Sequence, residues 1–215
     1  MKMFKVYSIG HSVYPNEFFF SQLRKYEVDC VIDVRSIPFS KYASQYNKDK
    51  IHEYLKRHGL MYLFMGEELG ARRSDLTLYN AEGYVDFEKV SRSDLFLVGI
   101  ERIMVGLQKG YNIALMCTEK DPIVCHRAIL VGKGLQDCGC AVSHIKEDGN
   151  TETQSQLEER MLNHYFPNWG QQSLFVDQEN AYSHNDIVTK SYRLKNADIG
   201  YRLESEYREV IQASL

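Results

Sequence analysis

The densest run of chemically useful side chains reads Cys117-Thr-Glu-Lys-Asp-Pro-Ile-Val-Cys-His-Arg127. Cys117 and Cys125 offer nucleophilic sulfur, Glu119 and His126 can carry protons, and Arg127 supplies a fixed cation. Asp121 is a good N-cap and Pro122 a good first helical residue, so a helix is expected over 121–135 with Cys125 in its early turns. There the positive end of the helix dipole, together with Arg127, would favour the Cys125 thiolate. Either cysteine is equally suited to being a small core residue, and His126 to being merely polar.

Further candidates stand at Gly10-His11-Ser12 and at Asp33-Val-Arg35. His11 is placed to act as a base or to orient its loop. Asp33 and Arg35 are two apart, so on a strand they leave the same face and can pair, either as a buried ion pair or as an anion-binding arginine held by its aspartate. Arginine suits phosphate and carboxylate because its planar fork matches their oxygens. Arg72 and Arg73 lie in a loop, where Arg73 reads as solvated surface. Tyr42, Tyr46, Tyr79 and Tyr84 lie in or near irregular loops, to stack on bases or simply to pack.

The elements that must position these residues follow from hydrophobic period. Strands are expected over 2–9, 28–34, 60–65, 111–116 and 141–145. Helices are expected over 15–26, 48–58, 87–108 with an interruption near Asp94, 121–135 and 154–166, while 66–83 reads as an irregular loop. Alternating strands and helices predict an α/β fold, a three-layer sandwich with a mostly parallel central sheet. Residues 1–167 form this domain, and 168–215 form a C-terminal helical or irregular extension, an appended arm. In such sheets ligands bind beyond the carboxyl ends of the strands, and Gly10–Ser12, Asp33–Arg35 and Cys117–Glu119 are all expected at those ends.

Four stretches, Ser8-Ile-Gly-His-Ser12, Ile32-Asp-Val-Arg-Ser36 with Pro38 and Ser40, Leu69-Gly-Ala-Arg72 and Met116 to Arg127, resemble domain-of-unknown-function family 488. The resemblance spans roughly residues 4 to 147. The family carries a second glycine where this chain has Ala71. The resemblance implies a shared site containing these motif residues and says nothing of its reaction.

Three readings fit the residues. In the first, an enzyme uses Cys117 or Cys125 as nucleophile, with Glu119, His126 and His11 as the other catalytic candidates. Gly10, Ser12, Asp33, Arg35, Arg72 and Arg127 then bind a small anionic ligand, a nucleotide or nucleic-acid fragment among the candidates. In the second, Cys117, Cys125 and one or two of His126 and His11 bind a metal. The absence of Cys-x-x-Cys weakens this reading, as does the ~100° between adjacent residues on a helix, so no metal ligand is assigned. In the third, the rim binds a ligand or nucleic acid without reaction.

The net charge, 26 − 29 = −3, gives no overall positive field to hold a nucleic acid by its phosphates. Apolar runs fall far short of the ~20 residues that span a bilayer, so no membrane partner is expected. The N-terminus lacks a leader pattern, which predicts a cytoplasmic protein whose five cysteines are reduced thiols. Gly10-His11-Ser12 does not complete a dinucleotide-binding glycine turn, and a triphosphate-cradling loop is missing, so neither a cofactor nor an oligomeric state is assigned. Cys30, Cys138 and Cys140 are expected to pack.

Overall fold

A computed structural model of the chain describes residues 4–167, 169 and 183–203. Its centre is a six-stranded sheet made of β1 (Lys5–Gly10), β2 (Cys30–Asp33), β3 (Met61–Phe64), β4 (Ile113–Cys117), β5 (Ala141–Ile145) and β6 (Thr151–Thr153). The strand order is β3-β2-β4-β1-β5-β6, with β5 and β6 antiparallel and all other neighbours parallel. The α/β class and the mostly parallel sheet agree with expectation. The edge strand β6 falls in a stretch too short and too polar to show an apolar alternation. Lys2 and Met3, at the start of the expected first strand, lie outside the described residues.

Right-handed crossovers explain the layers. The connections β1 to β2 and β2 to β3 run one way across the sheet and carry α1 (Asn16–Lys25) and α2 (Lys48–Arg57). Phe19, Leu23, Ile51 and Leu55 from these helices bury against Ile9, Val31, Ala114 and Met116. The connections from β3 to β4 and from β4 to β5 run the other way. They carry α3 (Gly66–Leu69), α4 (Phe87–Ser91), α5 (Asp94–Gln108) and α6 (Lys133–Asp137) on the opposite face. There Phe96, Ile100, Ile103 and Leu135 pack on Ile32, Leu115 and Val142. Because β strands alternate faces, Cys117 at the end of β4 turns toward this second layer. β1 and β4 are neighbours whose connections leave in opposite directions, the topology that opens a crevice at the carboxyl edge.

The described part of the C-terminal extension is built into this layer. After α7 (Gln154–Tyr165), α8 (His184–Ile199) starts at Ser183 with a capping box to Asp186 and packs against α7. Tyr192 enters the core and its hydroxyl accepts from Gln154 (2.7 Å) and donates to Glu158 (2.9 Å). Asn196 accepts from the Phe87 amide and donates to the Val85 carbonyl, both at 2.9 Å. A bridge between Tyr84 and Arg202 continues the contact. A helix within 168–215 is among the alternatives expected for the extension; the apolar residues that dock it on α7 are few and widely spaced in the sequence. Residues 168, 170–182 and 204–215 of the extension lie outside the described residues.

Candidate functional site

The loop after β4 is shaped by its own polar residues. Cys117 pairs with Gly10 in the β1–β4 register, and the Cys117 and Thr118 carbonyls accept from the His11 and Ser12 amides, each at 2.9 Å. A Cβ on Gly10 would stand 1.9 Å from the Glu119 carbonyl oxygen, so glycine here is what lets the loop lie on β1. Asp121 accepts from the Ile123 amide and pairs with Arg160 at 2.7 Å, tying the loop to α7. Pro122–Val124 is a single 3-10 turn, after which Cys125 is extended, with φ −135° and ψ 135°. The helix begins only at Arg127, as a π-helical stretch Arg127–Gly132 that leads into α6. The continuous helix expected from Asp121 is therefore interrupted. Cys125 sits just outside a helix N-terminus, so helix geometry does not splay Cys125 and His126 apart.

The break turns four side chains to one point. Cys117 Sγ and Cys125 Sγ both lie within hydrogen-bond distance of Glu119 Oε2, at 3.2 and 2.9 Å. His126 Nδ1 lies 3.8 Å from Cys117 Sγ and 4.0 Å from Cys125 Sγ. At the other side of the ring, Nε2 is 2.9 Å from the Val34 carbonyl, which can only accept, so Nε2 carries the proton and Nδ1 presents its lone pair to the sulfurs. The ligating atoms of Cys117, Cys125 and His126 all lie within 4.8 Å of one another. The four side chains floor a cavity of about 230 Å³ whose rim includes Ser36, Ala71, Arg72, Ile199 and Tyr201.

Burial sets the electrostatics. Cys117 is pushed well above the ordinary thiol range, first by burial and then by Cys125 and Glu119. Burial opposes ionisation of Cys125 too, but the Cys117 hydrogen bond, the Arg127 charge and His126 overcome it and hold Cys125 well below that range. Glu119 is raised by burial and by Cys125. For His126, burial favours the neutral ring, yet the bond and charge of Cys125 carry it upward. Cys30 and Cys140 behave as packed thiols, each pushed up to about 11 by burial, and Cys138 is exposed.

The remaining predicted residues divide by what they touch. Arg35 is buried and lines the cavity floor, but its Nε and Nη2 are spent on Asp33 (2.9 and 2.6 Å) and on the Tyr46 carbonyl, and its Nη1 meets His11 Nε2 at 3.0 Å. His11 Nδ1 donates to the Ser12 carbonyl, and burial and Arg35 lower the ring to about 4. Gly10, His11, Ser12 and Asp33 thus support the rim without lining this cavity. Fully buried Arg127 donates to the Glu119 and Lys120 carbonyls, at 2.6 and 3.2 Å, and holds the loop from beneath. Arg72 alone among these arginines is exposed at the mouth, its guanidinium 4.5 Å from the Tyr201 ring centroid. Arg73 is buried, bonded to the Glu67 and Glu68 carbonyls, which corrects the surface reading. Tyr46 and Tyr79 are core side chains, while Tyr42 is exposed.

Sequence reasoning missed Ser36, whose Oγ accepts from the Arg72 amide at 2.9 Å, and the wall formed by Ile199 and Tyr201. Ser36 stood inside a quoted motif and carried a signal; the two wall residues, over seventy positions from any motif, carried none. Ala71 does not adopt the left-handed backbone that would require a second glycine there. Among the described residues, no helix is long and apolar enough to cross a membrane. In comparisons with known proteins, the family model described as Domain of unknown function DUF488 matches residues 15–133, more than half of the chain. That span includes the Asp33–Arg35 and Cys117–Arg127 segments and leaves out Gly10–Ser12 and the α8 wall. Neither a curated protein nor a solved structure is matched.

Proposed function

The chain belongs to the family of Domain of unknown function DUF488, whose description assigns no reaction, and from the site itself we propose an enzyme that transforms a small anionic ligand. The reactive centre is the Cys117–Glu119–Cys125–His126 cluster, and the ligand occupies the cavity above it. One observation carries this reading. Two cysteine sulfurs, a carboxyl group and an imidazole, all able to exchange protons, meet at the lining of one open cavity. A site built only to hold an anion would aim its arginines outward. Here Arg35 spends its donors on Asp33, Tyr46 and His11, Arg127 is buried with both terminal nitrogens on loop carbonyls, and Arg72 alone supports the anionic character of the ligand.

The roles follow from position. Glu119 is within reach of both sulfurs and can take or return a proton. His126 is held in one tautomer by Val34, and Arg72 meets ligand oxygens at the mouth. The cavity, about 230 Å³, suits the reacting part of a small ligand such as a nucleotide fragment or sugar phosphate, being below the ~300 Å³ at which drug-sized pockets begin. The test is a product screen by mass spectrometry over nucleoside monophosphates, nucleosides and sugar phosphates, run in parallel with Glu119→Gln and Cys125→Ser. Turnover by the native chain that both variants lose by at least about 100-fold is expected. Ligand binding without conversion, equal in all three proteins, would replace the enzyme reading with a binding module.

A further inference from the structure

The sulfurs at this site can be nucleophiles or ligands, and distance separates the two. Proton transfer from a thiol to an imidazole needs a close, directed S–H···N contact. His126 Nδ1 instead lies 3.8 and 4.0 Å from the two sulfurs, at the limit of any hydrogen bond to sulfur, and is nearly equidistant from both. Tetrahedral zinc, with bonds of about 2.3 Å to sulfur and about 2.0 Å to nitrogen, keeps a sulfur and a nitrogen about 3.5 Å apart. Both sulfur-to-nitrogen distances are within about half an ångström of that spacing, and all three ligand atoms lie within 4.8 Å of one another. Its histidine shows the support that ligating histidines have, with the far ring nitrogen donating to a backbone carbonyl so that the near lone pair is fixed.

We propose that Cys117, Cys125 and His126 form a zinc site with its fourth position open to the cavity, and that Glu119 serves a water bound there. The inference rests on the enzyme reading above and assigns its chemistry. Two thiolates and one imidazole select a soft or borderline cation, and tetrahedral geometry favours zinc over magnesium or calcium. The two thiolate charges cancel those of the ion, which reduces the cost of burying it. Without the ion, both sulfurs meet at one Glu119 oxygen. With it, the sulfurs bind metal and Glu119 is released to accept a proton.

Three protein ligands and an unligated glutamate make a hydrolytic centre. The zinc-bound water gives one proton to Glu119 and its oxygen forms a bond to an electrophilic carbon or phosphorus of the ligand. As the bond to the leaving group breaks, Glu119 returns the proton to that group. One water is added overall, and nothing is oxidised or reduced. The substrate class is a small anion with a hydrolysable amine, ester or phosphoryl linkage, anchored by Arg72.

Cobalt(II) titration of the full chain, stripped with chelator and kept reduced, tests the site independently of turnover. One equivalent is expected to give sulfur-to-cobalt charge transfer in the near ultraviolet and the intense visible bands of tetrahedral cobalt, both erased by zinc. Cys117→Ser, Cys125→Ser and His126→Ala should each weaken binding roughly 100-fold or more. Cys30→Ser should leave it unchanged, and Glu119→Gln should retain cobalt while losing turnover. Circular dichroism checks that each variant is folded. A folded native chain that shows no charge-transfer band overturns the zinc site; if it still turns over substrate and loses this with Cys125→Ser, the enzyme reading survives with a thiolate nucleophile. Equal loss of cobalt in Cys30→Ser overturns the assignment of ligands.

Discussion

Two polar clusters stand side by side at the carboxyl edge of the sheet, and they differ in whether their hydrogen bonds close. At the end of β2, Asp33 Oδ1 accepts from the Arg35 amide and Nε, while Oδ2 accepts from Arg35 Nη2 and the Tyr62 hydroxyl. His11 accepts from Arg35 Nη1 on one side and donates to the Ser12 carbonyl on the other, and its ring stacks on Tyr46 with centroids 4.1 Å apart. Donors and acceptors are matched, as buried ionic groups must be if they are not to cost stability. At the end of β4, two thiols share one carboxyl oxygen and a histidine lone pair faces sulfurs beyond good bonding distance. The first cluster is complete as it stands and holds the rim. The second is joined through contacts to sulfur, the longest of them 4.0 Å, and it alone borders the cavity with all its members.

The contrast can be broken most sharply at its ionic end. Asp33→Ala leaves the Arg35 charge buried without its partner and should cost about 3–5 kcal/mol in urea unfolding. Cys117→Ser in the metal-free chain should cost only about 1 kcal/mol, since a hydroxyl can still donate to Glu119. Equal losses would mean that the second cluster is structural as well.

The closed kind of cluster recurs at His144, where Ser8 Oγ (2.7 Å) and Gln154 Oε1 (2.8 Å) engage the two ring nitrogens. Burial and Arg127 lower this histidine to about 4, so it is neutral in the fold while the unfolded chain protonates near 6.5. Its contribution is present above that value and lost as pH falls from about 6.5 to about 4, a loss approaching about 3 kcal/mol. A His144→Gln chain, measured over the same window, should lose correspondingly less.

Positioning gives the next effect. Gly10→Ala forces the Glu119 carbonyl away from β1 and should weaken cobalt or zinc binding about tenfold while the chain stays folded. Unchanged affinity would show that the loop does not depend on this contact. The smallest effect belongs to Arg72→Ala at the mouth. It should raise KM for the anionic ligand about three- to fivefold, leaving metal affinity and stability within about 0.5 kcal/mol of the native chain.

Much of this architecture is legible in the sequence because it depends on local pattern. β-branched runs such as Val31-Ile-Asp-Val34 and the helical spacing of Ile51, Tyr54 and Leu55 give the parallel sheet and its helices, and motif residues at strand ends give the rim. The interrupted helix after Asp121 is not legible. Asp121-Pro122 is a sound helix start, and the one-turn stop before Cys125 is set by the loop's tertiary ties, from Asp121 to Arg160 and from Arg127 to the Glu119 carbonyl. That break is what converts Cys125 and His126 from diverging neighbours into converging ones. Likewise, Arg35 and Arg127 read as ligand-binding arginines because nothing local reveals that Asp33, Tyr46 and the loop carbonyls take up their terminal nitrogens. Tyr201 reaches the cavity only because α8 packs on α7.

Zinc-edge X-ray absorption on the full chain loaded with one equivalent of zinc reads the ligand set itself. Two sulfur neighbours at about 2.3 Å and two nitrogen or oxygen neighbours at about 2.0 Å are expected, one of them an imidazole. A shell without sulfur, or one with more than two sulfurs, would contradict that ligand set.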